Sequence, residues 1–393
     1  MSSRFRTLRE VLPPSYWTVW WGTLINRAGA FVVPILTFYL TRRVGLSLAA
    51  AGAIVALFGA GSIVASLVGG LCADRLGRKV TMVTSLSGGA ILMAVLGFVT
   101  EPSVIAPVVL VLGFVGELYR PSVSAFVADV VPAEHRQSAY GFLYWAINIG
   151  FSIAPVAAGL VATVSYRALF FGDAATSALF AIVILVRVPE SHPDLEQRHT
   201  ATSFGDVLRD RTFMWAWGCM LLLSFVIYQS TTTLSGWMQA QGYGPGAYGI
   251  VLAVNGALIV LVQPMLTEWS KRHSLRAMMS ASAVLTAIGF ALHGGSYLWL
   301  HMTAVAVWTF GEILMAPSAS TFVAERAPVL ARGRYQGMFA MAYGIAGTLA
   351  PLLGPRLLAV SPSLLWGGCL VLGLLAALGF RAMKIQTGPG PMG

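Results

Sequence analysis

Apolar blocks follow one another along almost the whole chain, each long enough to cross a bilayer core of about 30 Å, which takes roughly 20 residues at about 1.5 Å each. Only helices or closed barrels can cross that layer, because every backbone polar group must be satisfied internally. Blocks of this length specify helices. Of the 393 residues 57% are apolar and only 10% charged, against roughly 25% charged in soluble domains, so the chain cannot cover itself with polar surface.

Glycine, proline and charge clusters divide the apolar blocks into spans at residues 15–41, 47–71, 80–100, 103–128, 137–164 and 167–187. A second six follow at 212–238, 246–268, 276–294, 297–322, 334–358 and 362–383. Residues 188–211, which carry Glu190, Asp194, Glu196, Arg198, Asp206 and Asp210, read as a polar linker between residues 1–187 and residues 212–393. The expected fold is an all-α membrane protein of twelve transmembrane helices in two pseudo-symmetric six-helix halves.

A net charge of +10 raises the question of nucleic acid, which the distribution of charge answers. No stripe of basic residues interleaves with aromatics on a polar segment, so nucleic-acid binding is not expected. With the N-terminus inside, 19 of the 25 Lys and Arg fall on the cytoplasmic side, as the positive-inside rule requires. Arg42, Arg43, Arg167 and Arg356 fall toward the other side, and Arg27 and Arg120 lie within spans. Both termini are therefore expected in the cytoplasm, in a multi-pass protein of the inner (plasma) membrane. Cys72, Cys219 and Cys369 stand alone among apolar residues and read as packing.

An internal repeat supports the two-half organisation. Residues 121–155 and 317–351 align without a gap at an offset of 196 and match at 13 of 35 positions, with Asp129 opposite Glu325. Just before each copy stands a Gly-Glu pair, Gly116-Glu117 and Gly311-Glu312. Such a duplication predicts parallel halves related by an axis normal to the membrane.

The loop after the second span reads Gly70-Leu71-Cys72-Ala73-Asp74-Arg75-Leu76-Gly77-Arg78-Lys79. Here the chain resembles the major facilitator superfamily, whose signature in this loop is Gly, an apolar pair, Asp-Arg, then Gly-Arg-Lys or Arg. The resemblance implies that Arg78 pairs with Asp129 at the inner end of the fourth span. It further implies that Asp74, Arg78, Asp129 and Arg136 form a charge latch whose pairs break when the inner side opens. Glu325 and Arg332 persist in the second half, while the matching loop degrades to Glu268-Trp269-Ser270-Lys271-Arg272-His273. The stretch Asp129-Val130-Val131-Pro132 with Arg136, followed by Tyr144-Trp145-Ala146 and Asn148, is similar to the twelve-span drug:proton antiporter branch. Some members of that branch carry an acid just before the Tyr-Trp pair, where this chain has Leu143.

Charges inside spans are the sharper signal, because one near the bilayer centre costs several kcal/mol unless paired or hydrated. Arg27 lies mid-way along the first span, Glu117 and Arg120 along the fourth, and Glu312 along the tenth. Glu117 and Arg120 are three apart and face one another on a helix. Glu312 has no partner of that kind and is the expected proton carrier, whereas Asp173 in the sixth span is less central and reads as structural. Uncharged candidates for a cavity are Asn26 and Tyr39, then Tyr144, Trp145 and Asn148, then Tyr228, Gln229 and Trp237, with Asn255 and Tyr343. As a group they suit binding by area and stacking. The polar run Tyr228-Gln229-Ser230-Thr231-Thr232-Thr233 is a place where the seventh span can unwind.

No GxxxxGK[ST] loop offers a phosphate cradle, and no HExxH, GxSxG or metal-spaced His and Cys cluster occurs. No enzyme activity and no cofactor are therefore expected; His293 and His301 flank a loop on the outer side. Energy must come from a gradient: about 2.3 kcal/mol per charge per 100 mV and about 1.4 kcal/mol per pH unit. The expected function is proton-coupled efflux of amphipathic organic compounds by a monomer in the lipid bilayer. The alternative is an importer or uniporter of a small organic anion held by Arg27 and Arg120.

Overall fold

The computed structural model describes residues 11–132, 135–191, 204–270, 272–327 and 332–383. Among them every regular element is helical. In chain order these are α1 (Pro14–Ala28), α2 (Val32–Phe38, ending in a π-turn over Tyr39–Arg43), α3 (Leu48–Leu76), α4 (Arg78–Phe98), α5 (Pro102–Glu117) and α6 (Tyr119–Val130). There follow α7 (Arg136–Val164), α8 (Tyr166–Arg187), the short α9 (Phe204–Arg209), α10 (Arg211–Ile227) and α11 (Thr232–Ala240). The last five are α12 (Pro245–Ser270), α13 (Leu275–Leu292), α14 (Leu298–Arg326), α15 (Arg332–Val360) and α16 (Pro362–Ala382).

Eleven helical stretches among the described residues are long and apolar enough to cross a membrane. The first expected span is not among them, because it is broken: α1 stops at Ala28, and the chain passes through Gly29, Ala30 and Phe31 before α2. Gly29 stands so close to α8 that a methyl group there would lie 2.4 Å from the Thr176 hydroxyl. Large aliphatic side chains on the outer faces, such as Val164, Leu261, Met265 and Leu378, are exposed and meet lipid.

Three of the four hydrophobic cores are local in sequence. Two draw only on residues 12–188 and one only on residues 207–383. The fourth joins Ile35, Phe38 and Ala158 to Val226, Tyr248 and Trp366. It is continuous with two long packings, α3 on α15 and α7 on α12. Both are built on close backbone approach, the small-residue device of membrane helices. A methyl at Gly52 would lie 2.1 Å from the Pro351 carbonyl oxygen, and one at Gly256 would lie 2.3 Å from Ser152.

These contacts run from the helix ends remote from the basic loops down to mid-membrane. At their rim the Thr41 hydroxyl bonds Gln239 Oε1 (3.0 Å) and Arg42 donates to the Tyr243 carbonyl (2.9 Å). The molecule is thus sealed on the face opposite the basic loops.

Candidate functional site

The centre of the molecule is organised by a break in the fourth span. Pro121 has no N–H to give the Glu117 carbonyl, and its ring clashes with that carbonyl, so the helix cannot run straight through. Ser85 of α4 exploits the gap. Its hydroxyl donates to the Val115 carbonyl (2.6 Å) and accepts from the Tyr119 N–H (3.0 Å), replacing the helical bond those two groups would otherwise make. The break at Leu118 turns Glu117, Tyr119 and Arg120 toward the interior. Glu117 and Arg120 pair at 2.5 Å, and although Arg120 is mid-membrane its side chain is 53% accessible, so it faces open space and not lipid-packed core.

Behind this pair lies a small pocket of about 80 Å³ lined in part by Asn26, Arg27, Ser85, Glu117, Tyr119 and Asp173. Arg27, 8% exposed, hydrogen-bonds the Tyr119 hydroxyl and stacks against the rings of Tyr119 and Phe151. Its Nε is buried and bonds nothing. Asp173 accepts the Val32 N–H (3.4 Å) across the break in the first span. Asn26 donates to the Ser177 hydroxyl (2.9 Å), tying α1 to α8.

Across the interior, Glu312 on α14 accepts a hydrogen bond from Asn255 on α12 (2.7 Å), and Asn255 also reaches the Thr309 hydroxyl (3.0 Å). A neutral amide and a carboxyl on different helices make up this site, and no cation among the described residues pairs with it. Tyr144 and Tyr343 lie within electrostatic reach of Glu312, and Tyr343 also of Tyr228. Tyr228 in turn lies within reach of both Arg120 and Glu117. Tyr144 is 40% accessible despite its mid-membrane position. Three tyrosines therefore line a space with the Glu117–Arg120 pair on one wall and Glu312 on the other.

The remaining expected residues bond or pack locally. Trp145 packs against the core of residues 12–188, edge-on to Phe142. Asn148 donates to the Tyr144 carbonyl of its own helix (2.9 Å). Gln229 is fully buried, bonding Phe225 and Thr233 within its own span. Tyr39 reaches the Val99 carbonyl (2.9 Å) and Trp237 the His293 carbonyl (2.7 Å), both away from the centre. The seventh span does unwind, into a 3₁₀ turn over Tyr228–Ser230. A lipid-facing groove of about 1000 Å³ between α1 and α8 contains none of the expected central residues.

On the basic face, Arg78 pairs with Asp129 (3.1 Å) and donates to the Ala73 carbonyl (2.7 Å). The side chains of Asp74 and Arg136 lie outside the described residues. Arg78 and Asp129 sit on the neighbouring helices α4 and α6, both before residue 188. Sequence reasoning missed Glu190, whose carboxylate accepts the Lys79 and Val80 N–H groups (2.9 and 3.1 Å) at the start of α4, and Ser191, which donates to Asp129 (2.8 Å).

It also missed an ion pair after residue 203: Arg326 forks onto both oxygens of Asp210 (2.7 and 2.8 Å), Tyr335 donates to it (3.0 Å), and it caps the Phe213 N–H (3.1 Å). An acid immediately before an apolar run is an N-cap signal, and it was readable. Burial works against the Asp210 carboxylate, but the bonds from Arg326, Phe213 and Tyr335 outweigh it and hold its pKa below the usual range.

A bundle of membrane-crossing helices around a central space lined by aromatics and a few buried charges defines a polytopic carrier. The model of the Major Facilitator Superfamily matches residues 19–351 and again 230–389, and the chain belongs to that superfamily of transporters. It is 28% identical over 368 residues to a Na⁺, Li⁺, K⁺/H⁺ antiporter of Planococcus maritimus, covering 84% of this chain and 86% of that one. It is also 28% identical over 336 residues to multidrug resistance protein 1 of Bacillus subtilis, covering 83% and 85%. Among solved structures, a nucleoside transporter superimposes with a TM-score of 0.80 at 16% identity, over 94% of this chain and 99% of that chain.

Proposed function

We propose that the protein is a proton-coupled exporter of amphipathic organic compounds, working by alternating access between two six-helix bodies, residues 1–187 and 212–393, joined by a cytoplasmic linker over 188–211. The broken α1–α2 pair supplies the twelfth span, and both termini lie in the cytoplasm. The observation that carries this reading is the Glu312 site. A mid-membrane carboxyl held by the neutral Asn255, with no cation, can take up and release a proton beside the tyrosine-lined space in which a flat, apolar cation would stack. In support, relatives bear the names of an antiporter and a multidrug resistance protein.

Closure on the face opposite the basic loops supports reading this as the inward-facing state, in which Arg120 and Tyr144 face the cytoplasm. The anion-carrier alternative loses support from the same geometry. Arg120 is neutralised by Glu117 and Arg27 is enclosed by Tyr119 and Phe151, so neither presents a free charge to a carboxylate solute.

The test is proton release from acid-loaded everted vesicles on addition of ethidium or tetraphenylphosphonium, with Na⁺, Li⁺ and K⁺ as separate arms. Release in wild type and its loss in Glu312→Gln support the proposal. Wild-type behaviour in Glu312→Gln, or release triggered by small carboxylates alone, overturns it.

A further inference from the structure

On the face opposite the basic loops, two histidines are fully buried and bonded to each other. His293 follows α13 and His301 lies in α14, with Nδ1 to Nδ1 at 3.1 Å. His301 Nε2 stands 2.9 Å from Gln241 Oε1, and Gln241 Nε2 donates to the Gly295 carbonyl (3.1 Å). That last bond fixes the amide orientation, since the opposite one would set two oxygens face to face. The proton positions follow by elimination. His301 must donate from Nε2 to Gln241, so its Nδ1 accepts, and His293 Nδ1 is the donor. His293 Nε2 is then a bare acceptor. It is buried without a partner, as are the indole N–H groups of Trp366 and Trp308 nearby.

The pair therefore has room for one proton, at His293 Nε2, without breaking any hydrogen bond; a second would set two N–H groups head to head. Its surroundings hold no counter-charge. Phe290 from α13, Trp366 from α16 and Tyr243 beyond α11 pack against it, and Trp308 from α14 packs on Phe290. No Asp, Glu, Lys or Arg among the described residues bonds either ring, and the nearest cation in the network is Arg42, which holds the Tyr243 carbonyl.

The same cluster ties down the outer end of the seventh span. Trp237 bonds the His293 carbonyl, Gln241 bonds Gly295, and Tyr243 bonds the Ser296 carbonyl (3.0 Å). This segment lies beyond the 3₁₀ turn at Tyr228–Ser230, and its Gln239 meets Thr41 of the other half. It is the outer gate, hinged at one end and clamped by the histidines at the other.

We propose that His293 and His301 form an external proton-binding site, holding one proton per pair, filled when the gate opens and water reaches it and emptied when the gate seals. It rests on the proposed alternating access and orientation but not on Glu312. A group that binds a proton in the open form only draws the protein toward that form in acid. With an ordinary imidazole value of about 6.5 in the open form, the open-to-closed ratio rises about 30-fold from pH 8 to pH 5.

Pulsed electron–electron resonance reads this ratio in nanodiscs, with spin labels at Glu101 and Trp299 on a background lacking the native cysteines, and a second pair at Arg187 and Arg381. Wild type should show the 30-fold shift, and His293→Gln and His301→Gln less than threefold. A shift preserved in both histidine variants overturns the site. Two populations in neither label pair at any pH would instead refute alternating access. If the variants misfold, ¹⁵N-histidine spectra of wild type decide: uptake of one proton per pair between pH 8 and 5 supports the proposal, and no titration refutes it.

Discussion

Asp210 offers the cleanest measurable consequence. It performs two tasks, capping α10 and clamping Arg326 and Tyr335, and two substitutions separate them. Asn keeps a cap, since Asn and Asp serve equally there, while Ala loses about 1 kcal/mol from the cap alone. The clamp comprises two charge-assisted bonds from Arg326 and one from Tyr335. Charged hydrogen bonds contribute about 1.5–3 kcal/mol each when buried, but Arg326 is 34% accessible, so solvent screening reduces the clamp to about 2 kcal/mol in all. Asp210→Asn should therefore destabilise by about 2 kcal/mol and Asp210→Ala by about 3. The sign with pH follows from the depressed carboxylate. Its folded pKa lies below the unfolded value of about 3.9, so its stabilisation is complete above that value and is lost as pH falls through the folded one. Thermal unfolding in detergent, followed by size-exclusion fluorescence, should show a wild-type margin over Asp210→Asn that is flat from pH 8 to 5 and shrinks below about pH 4. Equal melting of Asp210→Asn and wild type at pH 7, or a margin that grows in acid, would refute the reasoning.

Gly77→Ala should cost about 2–3 kcal/mol and lower expression: the backbone stands at φ +99°, ψ 157°, a region essentially confined to glycine, and a Cβ would meet the Glu190 carboxyl at 2.6 Å. Ser85→Ala leaves the Val115 carbonyl and Tyr119 N–H without their bridge, so the Glu117–Arg120 pair loses its placement; transport should fall at least tenfold with the melting temperature nearly unchanged, measured side by side in proteoliposomes and detergent. Gly256→Leu cannot seat against Ser152, so it should shift the protein toward the outward-open form, seen as faster alkylation of a cysteine placed at Gln239.

The spans were legible because hydropathy reports burial in lipid directly, and each helix falls within about five residues of its expected range. The four in-membrane charges were legible for the same reason: their cost marks them. What the sequence left dark was pairing between helices. Nothing in the chain shows that Asn255 holds Glu312, that Ser85 fills the gap made by Pro121, or that Glu190 reaches back to Lys79, because each depends on two helices meeting at one depth. Gln229 and Asn148 bond within their own spans, because a polar residue in a span has two ways to satisfy itself, and local bonding to its own helix is one of them.

The contact between residues before 188 and after 211 combines close backbone approach with an apolar side-chain core, and its two polar side-chain hydrogen bonds among the described residues, Thr41–Gln239 and Arg42–Tyr243, both lie at the rim. An interface of that kind has dispersion as its adhesive and almost no charge. If the two bodies part as proposed, the rate at which they do so is set by side-chain volume along α3, α7, α12 and α15 and is nearly indifferent to ionic strength.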